Sequence, residues 1–282
     1  MANKIWTIID LIKWGEEWLQ KKGVSESRLN IELMLCDLLD YSRLDLYTKF
    51  DQPLKQSELD KLREMVKKRG NRVPLQYIIG HVEFYGLRIK CDERALIPRP
   101  ETEYLIELIK KKAKESPKRI LDIGSGTGCI ALSLAKLYPD AEIISIDISS
   151  GALELSEENR ISNQINNVSF LELNILDELP KGKFDLIVSN PPYIADNEIN
   201  DLEPELKENE PLEALSDYGD GYTFYRRFND TFINMVNQSY LIALEYSDKQ
   251  EEELMNMFRN NFNNIEISKD LNNTYRYMFI SS

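Results

Sequence analysis

Apolar positions in the first 70 residues recur at helical spacing. The stretch 5–20 places apolar side chains at three- and four-residue steps, and it contains all three tryptophans of the chain. Ser25 and Ser27 are candidate N-caps of a second apolar series, and a third series begins near Ser57 and ends at Gly70. Short helices with polar joints predict a small helical bundle whose core the tryptophans fill.

The periodicity changes after residue 70. Residues 71–100 carry prolines and glycines around the strand-like run VEFYGLRIK, which predicts a connecting segment with a β-hairpin. From residue 101 onward, apolar strands such as RILDIG and FDLIVSN alternate with amphipathic helices. This alternation predicts βαβ units and a mostly parallel sheet covered on both faces. We therefore predict three parts: a helical domain (1–72), a linker with the hairpin (73–100) and an α/β domain (101–282).

Charge is unevenly distributed between these parts. The 282 residues carry a net charge of −13, but residues 1–100 hold 18 Lys and Arg against 15 Asp and Glu, whereas residues 101–282 hold 17 against 33. A protein that grips nucleic acid through its phosphates needs a basic face, so the acidic α/β part argues against direct nucleic-acid binding. No apolar run reaches the ~18 residues of a membrane span, and no membrane association is expected.

Cysteine and histidine usage limits the chemistry further. Cys36, Cys91 and Cys129 are far apart and odd in number, which gives no metal-binding or disulfide pattern and predicts a reducing, cytoplasmic location. His81 is the only histidine, which removes most histidine-based metal sites and proton shuttles. We expect no metal.

The basic stretch 61–72 is interpreted as a solvated helix face rather than a partner-binding surface.

A glycine-rich turn, Gly124-Ser125-Gly126-Thr127-Gly128, joins an apolar strand to a helix. Such a turn brings the backbone close to a ligand, and Asp147, at the end of the next strand, can accept hydrogen bonds from both hydroxyls of a ribose. Asp122, directly below the turn, is a candidate partner for a ligand's ammonium group. The pattern resembles the first motif of class I S-adenosylmethionine methyltransferases. A NAD enzyme, disfavoured by the glycine spacing, and a turn that only packs strand against helix are the alternatives.

The tetrapeptide Asn190-Pro191-Pro192-Tyr193 follows the strand FDLIVS directly. The prolines leave carbonyls free to accept, so the Asn190 side chain and the Pro191 carbonyl can hold the two N–H bonds of a planar NH2 group while Tyr193 stacks on its plane. Adenine or cytosine in nucleic acids and glutamine in proteins carry such a group. A purely structural Asn-Pro turn is the alternative, and a non-catalytic adaptor is argued against by the intact tetrapeptide.

Further motifs resemble the release-factor glutamine methyltransferases over roughly residues 25–282. They are PLQYIIG with FYG, LIPRPETE, the glycine turn, SNPPYI and NEPLEAL, in this order. The resemblance implies a class I methyltransferase fold, α/β and Rossmann-like, with a mostly parallel seven-stranded sheet, an N-terminal helical bundle and a β-hairpin linker. It implies methyl transfer from S-adenosylmethionine, with S-adenosylhomocysteine as product, to the amide nitrogen (N5) of the glutamine in the Gly-Gly-Gln motif of peptide chain release factors. A glutamine methyltransferase of a ribosomal protein and an adenine-N6 nucleic-acid methyltransferase are the alternatives.

The same resemblance implies the site residues. Gly124 to Gly128, Asp147, Ile175 and Asn190 line the cofactor site, Asn190 to Tyr193 bind the substrate amide, and the small domain positions a release factor as partner of a monomeric enzyme. The chain departs from the family pattern at four places, which are Ile175 where an aromatic is common, Tyr246-Ser247 after Glu245, Asn272-Asn273 before Arg276, and Glu208.

Overall fold

The computed structural model describes residues 5–282, which divide into two compact units. A helical unit runs to Gly80 and also includes Pro204–Asn209; an α/β unit comprises His81–Glu203 and Glu210–Ser282. The residues predicted as a linker, 73–100, are therefore shared between the two units. The three-part division by role stays a prediction.

The helical unit confirms the predicted bundle. Its helices are α1 (Ile8–Lys21), α2 (Ser27–Leu39), α3 (Arg43–Thr48), α4 (Gln56–Gly70), α5 (Leu75–Ile79) and, in chain order, α9 (Pro204–Asn209). The tryptophans lie half-buried against the apolar core rather than inside it. The predicted serine caps of α2 are wrong: Glu26 occupies the cap position with φ 47°, and the Ser27 hydroxyl donates to the Val24 carbonyl instead.

Two arginines of the basic stretch 61–72 form ion pairs within the helical unit. Arg69, only 7% exposed, donates to Asn30 Oδ1 at 2.7 Å and to Glu205 Oε1 at 3.2 Å. Arg72 donates to the same Glu205 oxygen at 3.0 Å. Since both guanidinium groups bind a carboxylate of their own unit, this part of the stretch has a structural role.

Close packing of α1 on α2 at Gly15 leads to the first prediction. A Cβ on Gly15 would lie 2.5 Å from Cδ1 and 2.6 Å from Cγ1 of the fully buried Ile31. We expect Gly15→Ala to destabilise the helical unit by about 1–3 kcal/mol, because overpacking outweighs the better helix propensity of alanine. All three tryptophans lie in this unit, so urea unfolding followed by tryptophan fluorescence reports it selectively. Gln20→Ala, at an exposed position of α1, is the matched control, and an unchanged midpoint for Gly15→Ala would contradict the close packing.

The α/β unit begins with the predicted hairpin, β1 (His81–Phe84) and β2 (Leu87–Lys90). Its two turn residues, Tyr85 and Gly86, have φ of 51° and 67°, the positive values that a tight two-residue hairpin requires. The backbone N–H of Tyr85 donates to Glu103 Oε1 at 3.0 Å, which ties the turn to the next helix.

A seven-stranded sheet forms the rest of the unit and confirms the predicted fold. Its elements are α6 (Pro100–Lys112), β3 (Arg119–Ile123), α7 (Cys129–Leu137), β4 (Glu142–Asp147), α8 (Ser150–Ser162), β5 (Val168–Glu172), β6 (Phe184–Ser189), α10 (Thr223–Met235), β7 (Val236–Glu245), α11 (Glu251–Phe258), β8 (Asn264–Lys269) and β9 (Tyr275–Ser281). The strand order is β5-β4-β3-β6-β7-β9-β8. The first five strands are mutually parallel, and β9 is antiparallel to both of its neighbours.

Both faces of this sheet are covered because side chains alternate along each strand. Ile120 packs in the cluster that contains α6 and α7, whereas Leu121 and Ile123 pack with α10 and α11. The strand order reverses between β3 and β6. Ligands of open α/β sheets bind at the carboxyl ends of the strands at such a reversal, which is where the glycine turn, Asp147 and Asn190 follow their strands.

Candidate active site

A cavity of about 290 Å³ lies at the carboxyl ends of β3, β4 and β6, and it collects most of the predicted site residues. Its lining includes Gly124, Ser125, Gly126, Thr127, Asp147, Ile175, Asn190, Pro191 and Pro192. Gly128 and Tyr193 are not among the lining residues. The tertiary fold therefore brings together residues that are up to 68 positions apart in the printed chain.

The glycine turn is held open by backbone hydrogen bonds. The N–H groups of Gly124 and Ser125 both donate to the Ile146 carbonyl, at 2.8 and 3.0 Å. Gly124 has φ 85°, a value that glycine adopts without strain. Gly128, with φ 79°, precedes α7, and a Cβ there would lie 3.2 Å from atoms of Ser156 and Phe170. A side chain at Gly128 would therefore crowd Ser156 and Phe170 and strain the positive φ, whereas Gly124 and Gly126 line the cavity.

Asp147 carries the carboxylate of the cavity. Its Oδ2 accepts from the Gly126 N–H and its Oδ1 from the Ser149 N–H, both at 2.9 Å. Burial raises the pKa of Asp147, and the hydrogen bonds from Gly126 and Ser149 oppose that rise. Because each carboxylate oxygen can accept about two hydrogen bonds, both oxygens keep acceptor capacity. These two acceptor oxygens therefore fit a ligand that donates from two neighbouring hydroxyls, such as a ribose.

Asp122 does not face the cavity. It is fully buried, and its Oδ2 accepts from Ser145 Oγ at 2.7 Å, while Ser145 Oγ lies 2.6 Å from Ser125 Oγ. Burial raises the pKa of Asp122 to about 7. Asp122 is not among the residues that line the cavity, and it links β3, β4 and the glycine turn through Ser145. Its contact with a ligand's ammonium group stays a prediction.

Apolar side chains form another part of the cavity wall. Ile175 is 4% exposed and lines the cavity, and its carbonyl accepts from Arg227 Nε at 2.9 Å. Ile148, which also lines the cavity, is 61% exposed. Ile148 was not predicted as a site residue, although its position directly after Asp147 was the available signal. An exposed aliphatic side chain beside an acceptor carboxylate suits a ligand that joins an apolar ring to a sugar.

Hydrogen bonds to neighbouring segments fix both ends of the Asn-Pro-Pro-Tyr turn. Before it, Ser189 Oγ donates to the Ile123 carbonyl at 2.8 Å and joins β6 to β3. At its end, the Tyr193 carbonyl accepts from Gln250 Nε2 at 3.3 Å, and a Cβ on Gly221 would lie only 2.5 Å from that carbonyl oxygen. Burial raises the pKa of the Tyr193 hydroxyl to about 12. The ring packs against the apolar cluster of α10 and β7, so its stacking on a substrate stays a prediction.

Two carboxylates hold the loops that complete the cavity. Glu210, 6% exposed, accepts from the Ile97 N–H at 3.0 Å and from Arg99 Nη2 at 2.5 Å. Asp217 accepts from three backbone N–H groups, those of Gly219, Gly221 and Thr223. The lining residues that these loops add, and to which the sequence analysis gave no role, are Arg94, Pro98, Arg99, Pro211, Tyr218 and Phe224.

Residues 5–282 contain neither a cluster suited to a metal ion nor a helix suited to crossing a membrane. No set of three or more His, Cys, Asp or Glu side chains there is arranged to hold a metal ion. Within the same described range, no helix has the length and apolar character needed to cross a membrane.

Comparison with known proteins places the chain among methyltransferases. Residues 10–80 match the PrmC N-terminal domain, and residues 100–209 match the Methyltransferase small domain. The release factor glutamine methyltransferase of Fusobacterium nucleatum is 38% identical over 266 residues, covering 93% of this chain and 75% of the relative. The enzyme of the same name from Geobacter sulfurreducens is 38% identical over 255 residues, covering 90% of this chain and 89% of the relative.

Solved structures agree with the fold of the α/β unit. A methyltransferase from Pyrococcus furiosus superposes with a TM-score of 0.53 at 18% identity, covering 70% of this chain and 88% of that chain. The 16S rRNA N2 G1207 methyltransferase of T. thermophilus, solved with AdoMet and guanosine, has a TM-score of 0.51 at 16% identity and covers 72% of this chain and 49% of that chain. At these identities the likeness concerns the fold alone.

Proposed function

This chain belongs to the family of release factor glutamine methyltransferases, and we propose that it transfers a methyl group from S-adenosylmethionine to the side-chain amide nitrogen (N5) of the glutamine in the Gly-Gly-Gln motif of peptide chain release factors. One observation carries the proposal. Asn190 and Pro191 lie in the same cavity as Asp147 and the glycine turn, so groups suited to a planar amide and groups suited to a nucleoside share one cavity.

The proposed cofactor side of the cavity consists of Asp147, the glycine turn and the apolar wall. Asp147 would accept from the two ribose hydroxyls with the acceptor capacity that Gly126 and Ser149 leave free. Ile148 and Ile175, which line the cavity, would contact the adenine. S-adenosylmethionine, when bound, supplies an electrophilic methyl group on a positively charged sulfur.

The proposed substrate side consists of Asn190 and Pro191. An amide nitrogen is a weak nucleophile because its lone pair is delocalised into the carbonyl. Two acceptors, Asn190 Oδ1 and the Pro191 carbonyl, would hold the two N–H bonds of the glutamine amide and aim its nitrogen at the methyl group. Such alignment can supply ~7–11 kcal/mol of the barrier reduction. This mechanism requires no strong base, which fits the single histidine of the chain.

The proposed function also includes a protein partner, an oligomeric state and a cellular location. The helical domain (1–72), with its near-neutral charge, positions the release factor, and the segment 73–100 connects it to the methyltransferase domain (101–282). The acidic balance of residues 101–282, with 33 Asp and Glu against 17 Lys and Arg, disfavours direct nucleic-acid binding. We further propose that the enzyme acts as a monomer in the cytoplasm and needs no metal.

Methyl transfer to candidate substrates tests this function. The protein is incubated with methyl-labelled S-adenosylmethionine and, separately, purified release factor, ribosomal proteins and DNA. We expect label on the release factor, located by peptide mass spectrometry on the glutamine of its Gly-Gly-Gln motif. A release factor that carries alanine in place of that glutamine is the matched control and should remain unlabelled. Label only on ribosomal protein or only on DNA would overturn the proposed substrate.

A further inference from the structure

We propose that Thr102 and Glu245 are positioning residues that fix the direction of the Asn190 amide, so that its oxygen rather than its NH2 group is offered to the substrate. This inference rests on the proposed function, because it assigns Asn190 Oδ1 as an acceptor for the glutamine amide. Thr102 belongs to the LIPRPETE motif and Glu245 to the end of a strand, and neither had a role in the sequence analysis.

The three side chains form a continuous hydrogen-bonded relay. Asn190 Nδ2 donates to Thr102 Oγ1 at 3.1 Å, and Thr102 Oγ1 donates to Glu245 Oε2 at 2.8 Å. Thr102 is 3% exposed and Glu245 is 2% exposed. Asn190 and Thr102 both line the cavity. The relay thus runs from the cavity wall into the interior of the α/β unit.

Each member comes from a different part of the α/β unit. Asn190 follows β6, Thr102 lies in the first turn of α6, and Glu245 is the last residue of β7. The Glu245 backbone is paired with Tyr277 of β9, and its carbonyl accepts from the Tyr225 hydroxyl at 2.7 Å. The carboxylate at the inner end of the relay is therefore anchored by the sheet itself.

The Glu245 carboxylate determines which atoms donate and which accept along the relay. An asparagine amide has nearly the same shape in its two flipped orientations, so shape alone does not select which end faces the cavity. A threonine hydroxyl has one hydrogen to donate, and an ionised carboxylate can only accept. With that hydrogen donated to Glu245, Thr102 Oγ1 accepts from Nδ2, and Oδ1 is the polar atom that Asn190 keeps for a ligand.

The flipped orientation would oppose the reaction. It would present two N–H donors to a substrate group that itself carries two N–H donors, and an unpaired buried donor is unfavourable. Burial raises the pKa of Glu245 to about 7 and Glu101 adds to the rise, while the Thr102 hydroxyl, Arg276 and Arg99 oppose it. Assays at pH 8, above this value, favour the ionised carboxylate.

Substitution of the middle residue tests the relay. Thr102→Val keeps the shape and removes the hydroxyl, whereas Thr102→Ser keeps the hydroxyl. At pH 8, we expect Thr102→Val to lower kcat for release-factor methylation about 10- to 30-fold, with the cofactor Kd from calorimetry within about twofold of wild type. Thr102→Ser should stay within about threefold of wild type in kcat. Thr231→Val is the matched control, because Thr231 is also buried and donates to a helix carbonyl, that of Arg227.

Three outcomes would overturn the relay. They are wild-type kcat in Thr102→Val, equal loss in Thr102→Ser and Thr102→Val, and a cofactor affinity that falls in parallel with kcat. The first shows that the hydroxyl is not needed, the second that another property of threonine is needed, and the third that the substitution damages the site generally. Thermal melting of all variants, with Thr231→Val setting the loss expected for one buried hydroxyl, separates lost stability from lost positioning.

A second readout needs no methyl acceptor. In 15N-labelled enzyme at pH 8, the side-chain NH2 signals of Asn190 are assigned by their loss in Asn190→Ala. Hydrogen exchange of these signals should be about tenfold faster in Thr102→Val than in wild type or Thr102→Ser, because the bond to Thr102 Oγ1 is lost. Equal exchange rates in all three proteins contradict the relay. Absence of methylation of any release factor by the wild-type enzyme counts against the proposed function, and the exchange rates then still decide the relay.

Discussion

Asn190→Ala is expected to reduce methyl transfer to a release factor by about 10³-fold while leaving S-adenosylmethionine affinity within about threefold of wild type. The substitution removes an acceptor that holds the substrate nitrogen in line with the methyl group. It leaves in place Asp147 and the glycine turn, which carry the proposed cofactor contacts. Turnover with labelled cofactor and calorimetry of cofactor binding measure the two effects separately.

A second asparagine of the cavity provides the control for that experiment. Asn174 also lines the cavity, but its side chain bonds locally, to the Leu176 N–H at 3.1 Å and to Asp177 at 2.7 Å. Asn174→Ala should keep turnover within a few-fold of wild type. Unchanged turnover in Asn190→Ala would remove Asn190 from the reaction, and equal losses in both variants would show that any polar residue of the lining is needed.

Asp147→Ala is expected to weaken S-adenosylmethionine binding about 30- to 100-fold. The substitution removes a carboxylate that would accept two charge-assisted hydrogen bonds from the ribose. It also removes the acceptors of the Gly126 and Ser149 N–H groups, both bonded at 2.9 Å, which loosens the glycine turn. Asp147→Asn, which keeps the shape and one acceptor oxygen, should give an intermediate affinity. Calorimetry measures Kd, and turnover at saturating cofactor should recover to within a few-fold of wild type.

The matched control for Asp147 lies before the same strand. Asp140 is exposed and precedes β4, whereas Asp147 ends it. Asp140→Ala should leave cofactor affinity unchanged. A wild-type Kd in Asp147→Ala would exclude the carboxylate from the cofactor site, and a loss of turnover that saturating cofactor does not recover would instead indicate a role in the chemical step.

The parts of the site that follow strand ends could be predicted from the sequence. Gly124, Asp147 and Asn190 each come at or directly after the carboxyl end of an apolar strand, and parallel strands bring such ends to one edge of a sheet. The strand periodicity therefore predicts that these three residues lie at the same edge of the sheet, even when the order of the strands is unknown. The hairpin was predicted separately, from the strand-like run VEFYGLRIK among prolines and glycines.

Contacts between distant segments could not be predicted in this way. Thr102 lies 88 positions from Asn190 and 143 from Glu245, and no local pattern indicates that a helix start, a loop and a strand end meet. Strand alternation likewise does not show that the Asp122 carboxylate bonds to Ser145 on the neighbouring strand. The prediction of serine caps for α2 was wrong because Glu26 adopts a left-handed conformation, which its residue type does not indicate.

The segment Pro204–Asn209 affects how the chain is made. It belongs to the helical unit although about 120 residues of the α/β unit precede it, so the helical unit is incomplete until more than 200 residues have been synthesised. Until then, Arg69 can donate to Asn30 but lacks the Glu205 carboxylate that it binds in the finished protein. The order of synthesis and the order of final assembly therefore differ at the N-terminus, and a fragment that ends at Gly80 lacks part of its own structure.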